Sequence, residues 1–137
     1  MNEIIKSLQQ LILVHGVFVI ITIAFTVLFF FAGKSIKGWK IIVILLIICL
    51  TIYVAMAFFQ LYPLLQDYYH YQIVEYREVE VIQVFVGKIY TLNEYELLLQ
   101  DGNTIWVQSR LIISKGTRFT NLIVAKNSKV IVDYHEK

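Results

Sequence analysis

Two long apolar runs dominate the first half of the chain. The first extends from Leu11 to Ala32 and the second from Ile41 to Tyr62, and neither contains Asp, Glu, Lys or Arg. A helix of about 20 residues crosses the hydrocarbon core of a bilayer, so each run is long enough to span it. The pattern predicts a short N-terminal tail at 1–10 and transmembrane helices over about 11–32 and 41–62. A short loop at 33–40 joins them into an antiparallel hairpin.

The second half of the chain changes to a strand-like pattern. Val79 and Val81 alternate with glutamates, and the alternation slips before Val84, which indicates a bulge. Asp101-Gly102 is a strong hairpin signal. Several short strands at intervals of about 8–12 residues are typical of a small sandwich or barrel. We therefore expect a small all-β domain over 72–137, an OB or SH3-like barrel or a sandwich, after an aromatic membrane-exit linker over 63–71.

Composition supports a membrane protein of the α + β class. Hydrophobic residues make up 58% of the 137 residues, and charged residues make up 16%. Soluble domains average about 45–50% apolar and about 25% charged residues. These values exclude a disordered chain and an ordinary soluble globule. The predicted architecture is a transmembrane two-helix hairpin followed by the β domain.

The lysines predict an orientation. Lys34, Lys37 and Lys40 lie in the loop at 33–40, which contains no acidic residue. Basic loops usually stay on the cytoplasmic side of a membrane. We therefore expect a multi-pass protein of the cell membrane, with loop 33–40 in the cytoplasm. The N-terminus and the β domain then lie on the extracytoplasmic side.

A few polar or small side chains interrupt the apolar runs. His15 and Gln60 lie near the outer ends of the two helices and therefore at similar depth. Such residues pack helices together or contact a membrane partner. The first interpretation leaves His15 and Gln60 solvated at the interface, and the second makes the set a partner surface. The set comprises His15, Thr22, Thr26, Thr51, Ala55 and Gln60.

Aromatic residues are concentrated where the chain is expected to leave the membrane. Trp and Tyr commonly form belts at the membrane–water interface, which is one interpretation. The alternative is an aromatic platform for a ligand or a peptide. The residues concerned are Trp39, Tyr62, Tyr68, Tyr69, His70 and Tyr71.

No catalytic or metal-binding motif in the sequence assigns a function to it. The sequence contains no HExxH, GxSxG or phosphate-binding glycine motif, and Cys49 is the single cysteine. Acidic and basic residues are nearly balanced in the β domain, whereas nucleic-acid binding needs a basic groove. The sequence thus predicts a non-enzymatic protein without catalytic residues, metal, cofactor or nucleic acid. Its predicted partners are the lipid bilayer and another protein.

The layout resembles two groups of membrane proteins. In NfeD-type proteins, membrane helices precede a small OB barrel. That resemblance is architectural, since this domain has only Gly87, Gly102 and Gly116 where those domains are glycine-rich. The layout also resembles small membrane-bound immunity proteins of Gram-positive bacteria, which protect a producer from its own secreted toxin. Neither resemblance carries a motif over residue by residue.

Three functional hypotheses follow from the sequence. The first is an extracytoplasmic β domain that binds another protein, in its most specific form for immunity to a secreted toxin or bacteriocin. The second is an accessory or regulatory subunit of a transporter, secretion or envelope complex. The third is an enzyme or ligand sensor that uses His70 or His135 of the β domain. Homo-oligomers formed through the helices are compatible with all three.

Overall fold

A computed structural model of the chain describes residues 1–87 and 91–137. Two long helices precede a five-stranded antiparallel sheet. The helices are α1 (Asn2–Ala32) and α2 (Trp39–Tyr69), and a 3₁₀ turn (Gly33–Ser35) follows α1. The strands are β1 (Ile73–Phe85), β2 (Asn93–Leu98), β3 (Thr104–Ser109), β4 (Arg118–Ala125) and β5 (Ile131–Glu136).

Both helices are longer than the apolar runs that predict them. α1 begins at Asn2, within the expected tail, and α2 continues through Pro63 to Tyr69. The expected helix end at 62 and linker over 63–71 are therefore wrong for residues 63–69, which are helical. Proline removes one helical hydrogen bond. Leu64 and Asp67 in the following turn are fully buried, and this tertiary packing offsets the loss.

One face of each helix turns toward the other helix. Along α2, positions spaced alternately by three and four residues are buried or half-buried, as in a coiled-coil seam. These positions are Val43, Leu46, Leu50, Tyr53, Ala57, Gln60, Leu64 and Asp67. On α1, His15 is buried, and Thr22 and Thr26 are half-buried. These three residues of the predicted set therefore lie on the face of α1 that is least exposed.

The middle of each helix exposes apolar side chains on its remaining surface. Large hydrophobic residues are exposed from Ile12 to Phe31 on α1 and from Ile41 to Phe59 on α2. Only 11% of the most apolar 18-residue window of each helix is buried. A core helix of a soluble protein is mostly buried, so these helices differ from that type. Both are long and apolar enough to cross a membrane.

The expectation of an OB or SH3-like barrel or a sandwich is confirmed only as an all-β domain, because the structure has an open five-stranded sheet and not a closed barrel. Its strand order is β3-β2-β1-β4-β5, which leaves β3 and β5 at the edges. Within the described residues, one parallel bridge joins these edges, between Gln108 and Val130. Gln108 lies near the end of β3, and Val130 lies just before β5. The two strands therefore overlap over too short a length to form a ladder.

Two local predictions for the sheet are confirmed. The register of β1 against β2 shifts between Val81 and Gln83, which is the expected bulge. Asp101-Gly102 turns the chain between β2 and β3, and Gly102 adopts a φ of 85°. Hydrogen bonds from the backbone and side chain of Asn103 lower the pKa of Asp101. The core of the sheet is built around Tyr95, Phe119 and Leu122, which are fully buried.

Candidate functional site

The ends of the helices pack against the β domain at a contact that we call the helix–sheet joint. Its buried side chains are apolar and come from both parts of the chain. They are Ile4, Leu8 and Leu11 of α1, Leu64 of α2, and Leu92, Ala125 and Val130 of the β domain. Full burial of one large aliphatic side chain contributes about 1.5–3 kcal/mol. The joint therefore attaches the sheet firmly to the hairpin.

Asp67 forms the polar centre of the helix–sheet joint. Its side chain is fully buried near the end of α2. The backbone N–H of Ser128 donates to Oδ2 at 2.7 Å, and Asn127 donates to Oδ1 through its backbone N–H at 3.1 Å and through Nδ2 at 3.0 Å. The hydrogen bonds that these three donors make to one buried carboxylate are charge-assisted and therefore strong. Asp67 thereby fixes the turn between β4 and β5 to α2.

Two further contacts reinforce the helix–sheet joint at the start of the sheet. The backbone N–H of Lys126 donates to the carbonyl of Gln72 at 2.9 Å, and Lys126 Nζ donates to Gln72 Oε1 at 3.0 Å. The neighbouring Tyr71 has a raised pKa, because its hydroxyl is partly removed from water and because the charge of Asp67 disfavours ionisation. The two hydrogen bonds of Gln72 thus hold the short segment between α2 and β1 to Lys126, at the end of β4.

An ion pair ties the first turn of α1 to the end of β3. Arg110 Nη2 lies 3.3 Å from Glu3 Oε2, and the two side chains are 27% and 22% exposed. Lys6 lies 3.8 Å from the other carboxylate oxygen of Glu3. Both side chains of this pair are half-buried, so water screens it less than a fully exposed pair. The ion pair therefore adds a polar link between the start of α1 and the residue that follows β3.

A second polar cluster lies between the helices, below the helix–sheet joint. His15 is buried, with Nδ1 2.6 Å from the Tyr53 hydroxyl and Nε2 2.8 Å from Gln60 Oε1. With the amide oxygen of Gln60 as acceptor, Nε2 carries the hydrogen, and Tyr53 donates to Nδ1. The structure therefore brings His15 and Gln60 together as the antiparallel hairpin implies. Their solvation at an interface is not observed for His15, which is buried.

The other polar or small residues of the predicted set do not bridge the helices. The hydroxyls of Thr22, Thr26 and Thr51 each donate to a carbonyl one turn earlier in their own helix, at 2.8, 2.8 and 2.9 Å. Such back-bonding satisfies the hydroxyl in apolar surroundings. Thr51 and Ala55 are exposed on α2 and point away from α1. Their contact with a partner stays a prediction.

The predicted aromatic residues occupy three separate places. Trp39 packs edge-on against Phe30, with ring centroids 5.2 Å apart at the loop end of the hairpin. Tyr62 contacts Phe58 at 5.8 Å within α2. Tyr68 and Tyr69 contact each other at 5.1 Å, about 9 Å further along the helix than Tyr62. His70 and Tyr71 follow, both exposed. The set is therefore not one continuous platform.

Sequence reasoning missed the two side chains that organise the polar contacts of the helices, Tyr53 and Asp67. The signal that identifies them is the three-and-four spacing along α2, which places Tyr53, Gln60 and Asp67 on one face. That face turns to α1 in its first part and to the β domain in its last turns. Asp67 is recognisable as special because acidic residues are rarely buried without partners.

The described residues contain no group of three or more His, Cys, Asp or Glu side chains placed to hold a metal ion. The observed contacts instead hold the hairpin and the β domain in a fixed relation. No protein-family model, curated protein or solved structure matches this chain significantly.

Proposed function

We propose that this chain is a non-enzymatic integral membrane protein whose hairpin displays a small β domain for binding another protein. The observation that carries the proposal is the division of each helix into two parts. One part exposes apolar side chains all along its length, and the other part is buried in the helix–sheet joint. This division is expected of a membrane anchor that carries a rigidly attached binding domain.

The dimensions of the helices support insertion in a bilayer. Each helix has 31 residues, which corresponds to a length of about 46 Å. The hydrocarbon core is about 30 Å thick, so about three turns of each helix extend beyond it. The residues that pack in the helix–sheet joint occupy those turns at both helix ends. The β domain then lies directly above the headgroups, with no flexible tether.

The proposed orientation has loop 33–40 in the cytoplasm. Lys34, Lys37 and Lys40 are all exposed around the turn between the helices. The β domain then faces the extracytoplasmic side, where a secreted or membrane-attacking partner has access. Immunity to such a toxin is one specific form of the proposal, and a subunit role in a membrane complex is the other.

The packing of α1 constrains how a membrane partner binds. His15 contacts Tyr53 of α2, and Thr22 and Thr26 lie half-buried on the same face of α1. A partner helix therefore has to bind another face of the hairpin. Thr51 and Ala55 are exposed on α2, and their small side chains would let the backbone of a partner helix come close to that of α2. Replacement of Thr51 and Ala55 with Leu is the matched test of that face, with replacement of Thr22 and Thr26 as comparison.

Cysteine labelling tests the topology. In a Cys49→Ser background, Ser35→Cys places a thiol in the helix connection and Ser114→Cys places one in an exposed loop of the β domain. A membrane-impermeant maleimide should label the second variant in intact cells and the first only after permeabilisation. The reverse pattern contradicts the orientation. Recovery of the unlabelled protein in the soluble fraction contradicts membrane insertion.

Purification from the native host in mild detergent tests the binding role. A stoichiometric membrane partner supports the subunit form, and a secreted protein supports the immunity form. Activity of the purified chain on a small substrate that is lost in a His70→Ala or His135→Ala variant contradicts the non-enzymatic proposal.

A further inference from the structure

We propose that the free edge of β3 receives an extended basic segment of a partner protein as an added strand. This inference rests on the proposed display function and names its binding surface and the chemistry of its partner. The surface comprises the outward backbone of Thr104–Trp106 and the side chains Phe85, Glu94, Glu96 and Trp106 around it.

The hydrogen-bond register shows which backbone groups of β3 point outward. The N–H of Leu99 donates to the carbonyl of Asn103, which makes this a hydrogen-bonded pair of the β2–β3 hairpin. Hydrogen-bonded pairs alternate along an antiparallel ladder, so Thr104, Trp106 and Gln108 direct their N–H and C=O groups away from β2. Gln108 uses its N–H in this direction, donating to the carbonyl of Lys129 at 3.0 Å.

The neighbouring edge covers only one end of β3. The bridge between Gln108 and Val130 lies at the start of β5, and the turn at 126–129 precedes it. Because this bridge is parallel, Thr104 and Trp106 extend past that turn. No strand of the described residues pairs with them on that side. Such an edge is a template for strand addition.

Aromatic and acidic side chains surround the open edge on one face of the sheet. The rings of Phe85 and Trp106 lie 5.4 Å apart across β2, and they are 49% and 45% exposed. The register places Glu94 beside Phe85 and Glu96 beside Trp106. Within the described part of the chain, neither glutamate forms an ion pair or a side-chain hydrogen bond, whereas Glu75, Glu78 and Glu80 are each paired with a cation.

A groove continues from this patch toward the seam between the sheet edges. Its volume is about 230 Å³, and Glu94, Trp106, Gln108, Ser128 and Lys129 line it. Among the described residues that line the groove, Lys129 is the one cation, and it lies at the seam end. The open end therefore combines the carboxylate of Glu96 with the exposed ring of Trp106 next to unpaired backbone groups, and Glu94 lies one pair further along, opposite Gln108.

Charge complementarity selects the occupant. An arginine or lysine can pair with a carboxylate while its cationic group lies over an aromatic ring. In an added strand, alternate side chains face the same side of the sheet. We therefore expect an extended segment with basic residues at alternate positions. A second copy of this chain would bring the same carboxylates to this edge, and the negative charges of the two copies would repel each other.

Peptide binding to the full chain in mild detergent tests the inference. The probe is a fluorescent ten-residue peptide of alternating Arg and Val, compared with its Glu and Val counterpart. The Arg peptide should bind at least about tenfold more tightly, a difference of about 1.4 kcal/mol. The double change Glu94→Gln and Glu96→Gln should remove most of this preference. The matched control is Glu75→Gln with Glu136→Gln, which removes the same charge elsewhere.

A second probe separates strand pairing from general attraction between charges. The same Arg peptide with N-methyl groups at all of its backbone amides keeps its charge but cannot donate backbone hydrogen bonds from either of its edges. It should bind at least about tenfold more weakly. Equal binding of the two peptides, or an unchanged preference in the Glu94→Gln and Glu96→Gln variant, overturns the inference.

Self-association provides the remaining outcome. A concentration-dependent dimer that a Trp106→Lys change abolishes would show a second copy at this edge and overturn the basic partner. These readouts are independent of the topology labelling and of the co-purification. A protein that passes those two tests but binds no peptide loses this site and keeps the proposed function.

Discussion

The carboxylate of Asp67 accepts a hydrogen bond from the backbone N–H of Ser128 at 2.7 Å, across 61 positions of the chain. This contact joins the last turns of α2 to the turn between β4 and β5. Because both partners are buried, water cannot replace the bond when either group is lost. The position of this turn against α2 therefore depends on the carboxylate of Asp67.

Replacing Asp67 with Asn should loosen that turn. The variant keeps one acceptor oxygen but places an NH₂ group against the N–H of Ser128, which costs about 1–3 kcal/mol for the unpaired donor. Lys126 and Lys129 lie in the turn and are exposed, so trypsin can report on its opening. Cleavage there should accelerate by about tenfold for each 1.4 kcal/mol. Glu136→Gln, at an exposed end of β5, is the control, and equal cleavage of both variants contradicts the role of Asp67.

Sequence pattern alone identified the two helices because lipid-compatible runs have a simple signature. The runs Leu11–Ala32 and Ile41–Tyr62 lie inside the observed helices. Their extension to Asn2 and to Tyr69 was not predictable from propensity, since Pro63 argues against helix there. The extension depends on burial of Ile4 and Leu64 in the helix–sheet joint. That contact is tertiary and leaves no local signal.

The strands were also predictable from the sequence pattern, but whether they close into a barrel was not. The bulge after Val81 and the turn at Gly102 follow from local patterns and were predicted. A closed barrel depends on how far β3 and β5 overlap, and that depends on the register at Gln108 and Val130. Strand count cannot fix this register. The proposed peptide edge exists because of that incomplete overlap.

The hydrogen bond between His15 and Gln60 should contribute measurably to the stability of the hairpin. A double-mutant cycle with His15→Ala and Gln60→Ala isolates the pair. Side-chain hydrogen bonds between membrane helices contribute about 0.6 kcal/mol on average and up to about 1.7 kcal/mol in another protein. We expect a coupling within this range, measured by unfolding in mixed detergent micelles.

The control for this cycle is Thr22→Val combined with Gln60→Ala. The Thr22 hydroxyl bonds within its own helix, so the two changes should be additive within about 0.5 kcal/mol. A coupling for His15 and Gln60 no larger than that of the control would show that the pair contributes no specific stability.

Replacing Tyr95 with Phe should destabilise the β domain strongly for a change of one oxygen atom. The hydroxyl of Tyr95, which is fully buried, donates to the carbonyl of Leu111 at 2.6 Å and accepts from the N–H of Ile113 at 3.0 Å. The N–H of Ile113 is left unpaired at a cost of about 1–3 kcal/mol, whereas the carbonyl of Leu111 keeps Asn93 Nδ2 as a donor at 3.2 Å. The midpoint of denaturant unfolding should fall accordingly. Tyr134→Phe keeps the ring contact with Phe119 and should change stability by less than about 0.5 kcal/mol.

Replacing Gly87 with Ala should disturb the sheet beside β1, because the added Cβ has no room. It would lie 2.6 Å from the carbonyl oxygen of Leu92 and 2.7 Å from that of Thr91, and both are backbone atoms that cannot rotate away. The backbone must shift, at a cost of about 1–3 kcal/mol. The shift also weakens the hydrogen bond that Gly87 donates to Asn93 Oδ1. Thermal unfolding in detergent measures the loss.

Gly16→Ala is the matched control, since a Cβ there meets nothing within 4 Å and alanine favours the helix by up to about 1 kcal/mol. A Gly87→Ala variant as stable as the Gly16→Ala variant would show that the close approach to Leu92 does not constrain this strand end.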